Sequence, residues 1–128
     1  MRLQLVCLLL VLLSVSAVNY VSFEEKHITR VRRDGTCRQR MRPINNVHGD
    51  CRKKNTFIVD PNDSVSKLCN QGDGVLTSSS SYDLINCLGT GSFPNCKYTE
   101  SRLNAYIKIQ CNSGKPQHYI GTSWTPGL

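Results

Sequence analysis

The chain has no Cys-x-x-Cys pair, no internal repeat and, after its first thirteen residues, no apolar run long enough to cross a membrane. The missing Cys-x-x-Cys argues against a zinc site, which needs closely spaced thiolates. The missing repeat argues against a solenoid or an array. Acid is scarce where base is abundant. Between Lys26 and Lys54 lie ten cations (Lys26, Arg30, Arg32, Arg33, Arg38, Arg40, Arg42, Arg52, Lys53 and Lys54) against only Asp34 and Asp50. A field of that sign gathers polyanions, whether nucleic acid, heparin-like glycans or anionic membranes.

The one long apolar run is Leu3 to Leu13, behind the basic Met1-Arg2 and ahead of the small residues Ser14-Val15-Ser16-Ala17. Eleven residues are too few to span a bilayer, which takes about 20. The pattern predicts a secretory signal peptide over residues 1–17, a secreted, extracellular product, and a single domain over 18–128. Cys7 leaves with the leader, so Cys37, Cys51, Cys69, Cys87, Cys96 and Cys111 remain. Six cysteines in a small secreted chain predict three disulfides, with fifteen possible pairings. Losing Arg2 leaves fifteen Lys and Arg against nine Asp and Glu, a formal charge of +6.

Along residues 21–31, Phe23, His27 and Val31 recur every fourth position and predict a short helix with His27 on its apolar side. Glu24 and Glu25 at its start and Arg30 to Arg33 at its end suit the helix dipole. Asp34-Gly35 breaks it. Cys37 to Arg42 reads as a second basic helix stopped by Pro43, and Ile44 to Asp50 as a polar loop carrying His48. Cys51 to Val59 reads as a strand. Asp60 caps a third helix, with Pro61 in its first turn; Asn62-Asp63-Ser64 also fits a glycosylation sequon. Strands are then expected at Val75–Tyr82, Leu84–Leu88, Cys96–Glu100, Asn104–Cys111 and Gln117–Trp124. Gly89 to Gly91 and Asn112 to Gly114 are their hairpin connectors. The sum is an α+β fold: three short helices on a long, bent antiparallel sheet.

Chemistry concentrates in three places: His27, the stretch Cys51-Arg52-Lys53-Lys54-Asn55-Thr56-Phe57-Ile58, and Lys115-Pro116-Gln117-His118-Tyr119-Ile120. The middle stretch joins cations, which attract phosphate, to an amide and a hydroxyl that can read a base edge. Phe23-Glu-Glu-Lys26-His27, Cys51-x-x-x-Asn55-Thr56-Phe57, Asn95-Cys96-Lys97-Tyr98 and Pro116-Gln117-His118-Tyr119, together with the six cysteines, resemble the vertebrate secreted ribonucleases of the pancreatic ribonuclease superfamily. The resemblance spans nearly all of residues 20–124. It implies the pairings Cys37–Cys87, Cys51–Cys96 and Cys69–Cys111. A fourth bridge usual in mammalian pancreatic enzymes is absent, which places the chain nearer the angiogenin-like and fish members.

That resemblance implies an endoribonuclease that cuts RNA 3′ of pyrimidines through a 2′,3′-cyclic phosphate, with neither metal nor cofactor; oligomeric state is left open, with a monomer as the default expectation. His27 would be the base and His118 the acid, two imidazoles able to hold opposite protonation states near neutrality. Arg52 stands where the family has a catalytic lysine. Its planar fork cannot place one compact ammonium on one oxygen, so modest activity is expected. Lys26, Asn55, Thr56 and Tyr119 would bind substrate, with Thr56 reading the base. Ile120 replaces an aspartate that orients the acid in many members. The alternative is a cationic angiogenin-like effector, antimicrobial or angiogenic, whose basic surface acts largely without catalysis.

Overall fold

Ser22 opens the first helix, its hydroxyl accepting from the Glu25 N–H at 3.2 Å. In the computed structural model, which describes residues 21–31 and 36–128, α1 covers only Phe23–His27. The leader, the Asp34-Gly35 break, Arg32 and Arg33 lie outside the described residues. The helix expected over 21–31 is therefore cut short. Ile28 turns extended, and β1 (Ile28–Thr29) pairs parallel with Ile58 and Val59. Both residues of β1 are β-branched and buried, which favours sheet over another helical turn.

The second helix corrects the sequence reading more sharply. α2 runs Thr36–His48, straight through Pro43, so the loop expected over 44–50 is mostly helix and His48 is its last residue. A proline inside a helix costs about 3 kcal/mol. Here Cys37, Met41 and Ile44 lie on one face, on both sides of the proline, and each is almost fully buried against Phe57, Ile85 and Cys87. That burial outweighs the lost hydrogen bond, and Pro43 itself sits on the exposed side.

β2 (Lys54–Val59) pairs with β4 (Tyr82–Ser92), and β4 with β5 (Asn95–Asn112). The two strands expected at 96–100 and 104–111 are one, because Ser101, Arg102 and Leu103 still pair with Asn86, Ile85 and Leu84. Gly89 and Gly91 also stay in strand, and the hairpin turns at the cis Phe93–Pro94 bond. β5 changes partner between Ala105, opposite Tyr82, and Tyr106, opposite Ser123 of β6 (Lys115–Ser123). β3 (Gly74–Thr77) pairs with its other edge. The sheet thus has two arms. Ser113 and Gly114, both at positive φ, make the expected turn into β6. Ser78 to Ser81, expected as strand, is irregular.

α3 (Ser64–Leu68) runs on into a 3₁₀ turn, Cys69–Gln71. Asp60 caps it from four residues upstream: its carboxylate accepts from the N–H groups of Ser64 and Val65 at 3.0 and 2.9 Å. Adjacent strand residues feed opposite faces, Phe57 and Ile85 beneath α2, Ile58 and Leu84 into a larger core with Phe23, Val65, Ile107 and Ile109. The bridges are Cys37–Cys87, Cys51–Cys96 and Cys69–Cys111, as the resemblance implied. With partners 50, 45 and 42 positions apart in sequence, each removes about 4 kcal/mol of chain entropy from the unfolded state.

Candidate active site

His27 ends α1 facing the core, and it is 9% exposed. Its Nδ1 lies 2.9 Å from the Thr56 carbonyl oxygen. A carbonyl only accepts, so Nδ1 carries the proton and Nε2 keeps its lone pair. Burial drives the imidazole pKa down to about 4 against the upward pull of the Thr56 bond, and the charges of Lys26 and His118 lower it further. At neutral pH His27 is therefore a neutral base in a fixed tautomer. Tyr119 and Phe23 flank the ring, with centroids 5.3 and 5.1 Å away.

Asn55 ties this helix to β2. Its Nδ2 donates to the Lys26 carbonyl at 2.7 Å, so the amide expected to meet substrate is committed to holding α1 in place. The Thr56 Oγ1 donates to Asn86 Oδ1 at 2.7 Å, a partner on β4 that the sequence reading missed. Tyr119 buries its Oη near the Thr56 hydroxyl but outside good hydrogen-bond geometry, and burial pushes its pKa up to about 12 against a smaller downward pull from Thr56.

Arg52 precedes β2, and its main chain is clamped. Asn45 Oδ1 accepts the Arg52 N–H at 3.0 Å, Tyr98 Oη donates to the Arg52 carbonyl at 2.8 Å, and Asn45 Nδ2 donates to Tyr98 Oη at 2.9 Å. Gly89 makes room: a Cβ there would lie 2.6 Å from both the Arg52 oxygen and the Tyr98 ring. Asn45 was not singled out from sequence, and Gly89 was read as a hairpin connector, since their importance lies in contacts across 7 and 37 residues of chain.

Two cavities meet at His27. One, of about 370 Å³, lies between the sheet arms and is lined by Arg52, Lys54, Thr56 and Tyr119. The other, of about 320 Å³, is lined by His48, Gln117, His118 and Val21, and Lys26 and His27 border both. Among the described residues no carboxylate lines either. Burial and the Arg52 charge lower the Lys26 pKa. His118 is exposed on β6, near enough to bear on the His27 charge, and no described residue hydrogen-bonds its ring. Ile120 is half exposed beside it and offers no acceptor. The structure so brings together His27, His118, Arg52, Lys26, Asn55, Thr56 and Tyr119, and adds His48, read from sequence as a loop residue. Among the described residues no group of three His, Cys, Asp or Glu is arranged to hold a metal ion.

The family model for pancreatic ribonuclease matches residues 18–122. The chain belongs to the pancreatic ribonuclease family. Among ribonucleases of this family it is 32% identical to the brain ribonuclease of Axis porcinus over 102 residues, covering 70% of this chain and 68% of that one. It is 34% identical to Gallus gallus angiogenin over 79 residues, covering 60% and 57%. A cytotoxic ribonuclease of Rana catesbeiana, solved in complex with d(ApCpGpA) and (2′,5′CpG), superposes with a TM-score of 0.66 at 25% identity, over 81% of this chain and 95% of that one. The α+β fold and the three disulfides are those of the family.

Proposed function

We propose that this ribonuclease is a secreted, metal-independent endoribonuclease that cuts RNA 3′ of pyrimidines with modest activity. One observation carries the reading. A buried histidine, held neutral with its Nε2 lone pair kept, borders a cleft that among the described residues has no carboxylate and is shared with His118, Lys26 and Arg52.

RNA carries its own nucleophile. His27 Nε2 takes the proton from the ribose 2′-hydroxyl, and that oxygen attacks the adjacent phosphorus. Lys26 and Arg52 stabilise the charge gathering on the phosphoryl oxygens. The bond to the 5′-oxygen breaks as His118, in its protonated form, gives up a proton to it. The product is a 2′,3′-cyclic phosphate, which water then opens with the two histidines in exchanged roles. Thr56 reads the base lying in the cavity beside Tyr119. Its hydroxyl, donating to Asn86, turns a lone pair toward the base and suits the N3–H of uracil. A turned Asn86 amide would let the same hydroxyl donate to cytosine.

Two features hold the rate down. Arg52 spreads its charge over a planar fork, and Ile120 leaves the His118 ring unanchored. Cleavage of homopolymers in EDTA tests the reading: poly(U) and poly(C) should be cut and poly(A) spared. Equal cleavage of poly(A) would remove the pyrimidine pocket from the account.

The cationic-effector reading rests on α2, where Arg38 and Arg42 stand exposed one turn apart beside the exposed Phe93. It draws on fewer cations than the sequence offers. Arg40 is half-buried, donates to the Ile28 carbonyl and lies 5.3 Å over the Phe57 ring, and Arg30 pairs with Asp63. Heparin-like glycans or anionic membranes would be its partners. Killing of bacteria by His118→Ala would assign that effect to charge, and its loss would tie it to catalysis.

A further inference from the structure

Of the three described cations that border the cavity between the sheet arms, Lys26, Arg52 and Lys54, only Lys54 has no task in the cleavage chemistry. It opens β2, and its side of the strand is set by its neighbours. Successive strand residues point to opposite faces. Asn55 turns inward to the Lys26 carbonyl, so Lys54 and Thr56 share the face that looks into the cavity. Lys53 is also exposed but borders neither cavity. Among the described residues no hydrogen bond or ion pair engages the Lys54 ammonium, and no carboxylate lines the space it looks into.

The place of Lys54 along the chain says what such an ammonium meets. It stands between Arg52, on the side of the reacting phosphate, and Thr56, on the side of the base. Two strand positions make a step of about 7 Å, which a four-carbon side chain and one hydrogen bond can span. Cleavage gathers negative charge on the nonbridging oxygens as the phosphorus takes its fifth oxygen. A donor aimed there acts on the transition state more than on the bound substrate. Arg52 answers that charge with a planar fork. A lysine head is compact, carries three donors and turns freely. We propose that Lys54 is a further catalytic residue, its ammonium donating a hydrogen bond to a nonbridging oxygen of the reacting phosphate and supplying the point charge that Arg52 lacks. Lys54 keeps its proton throughout, and protons move only through the two histidines. The assignment rests on the ribonuclease reading and extends it.

The test is a double-mutant cycle between Lys54 and Arg52 on an RNA holding one uridine. Lys54→Gln should lower kcat about tenfold in the parent at nearly constant KM. Beside Arg52→Lys, where a compact ammonium is already present, it should cost less than about twofold. Lys53→Gln removes the same charge outside the cavity, where solvent screens it, and should also cost less than about twofold. Lys54→Arg keeps the charge without the compact head and should recover less than about half of the lost rate. Deoxyuridylyl-adenosine, which lacks the 2′-hydroxyl and is not cut, should bind the parent and Lys54→Gln within about threefold of each other. Lys54 is exposed and its main chain pairs with Leu88, so the variants should fold, which urea unfolding checks. Equal losses in the two backgrounds, a loss matched by Lys53→Gln, full recovery by Lys54→Arg, or a loss confined to KM would each overturn the assignment. Cleavage by Lys54→Gln at the parent rate overturns the role of Lys54 alone. RNA left whole by the parent and by Arg52→Lys alike overturns the ribonuclease reading and the assignment with it.

Discussion

His27 should make this protein sensitive to acid in a way one substitution removes. In the unfolded chain a histidine takes its proton near pH 6.5; in the folded protein His27 does so only near 4. Between those values the unfolded state binds more protons, so stability falls as pH falls. The contribution is whole above pH 6.5 and is lost by the time pH reaches about 4. At roughly 1.4 kcal/mol per pH unit, the loss is about 3 kcal/mol. The side chain is 9% exposed, so solvent screens little of it. His27→Asn can keep a donor for the Thr56 carbonyl and cannot titrate. Urea unfolding with the disulfides intact, at pH 7 and pH 4, compares the two chains. The parent midpoint should drop further than that of the variant by on the order of 1–3 M urea. Equal drops would mean that His27 is not desolvated as described, and the argument for a neutral base would fall with it.

The same low pKa should carry the acid limb of kcat/KM well below pH 6, toward about 4, because the base of the free enzyme stays unprotonated that far down; a limb at pH 6.5 would contradict this. Tyr98→Phe removes the donor to the Arg52 carbonyl and should cost about 1–3 kcal/mol of stability and lower kcat more than it raises KM. Gly89→Ala should do similar damage by a different route, because its Cβ would collide with the Arg52 oxygen. Asn86→Asp leaves Thr56 only an acceptor and should raise the ratio of UpA to CpA cleavage several-fold, about 1 kcal/mol of discrimination; an unchanged ratio would detach Asn86 from base reading.

Much of this architecture could be read from residue patterns because the signals were local. Alternation at Ala105, Ile107, Ile109 and Cys111 gave a half-buried strand, and Asp60 announced the start of α3. His27, Thr56 and His118 stand in motifs short enough to recognise. What stayed hidden depends on distant partners. Pro43 looked like a stop because its neighbours' burial against Phe57 and Ile85 is invisible in sequence. The same error sent His48 into a loop, away from the cavity it lines. β5 looked like two strands because pairing of its polar middle is decided by β4. The Arg52 clamp joins residues 45, 52, 89 and 98, with no periodicity to betray it.

The central claim, that the two histidines and Arg52 form a working but handicapped ribonuclease, is most directly tested on a fluorogenic RNA holding one uridine. Refolded residues 18–128 would be assayed in EDTA beside His118→Ala and Arg52→Lys. The account predicts cleavage at the uridine by the parent, none by His118→Ala, and a rate about tenfold higher for Arg52→Lys, the return of roughly 1.4 kcal/mol of transition-state stabilisation. A folded sample with all three disulfides that leaves the RNA whole, in the parent and in Arg52→Lys alike, would contradict it.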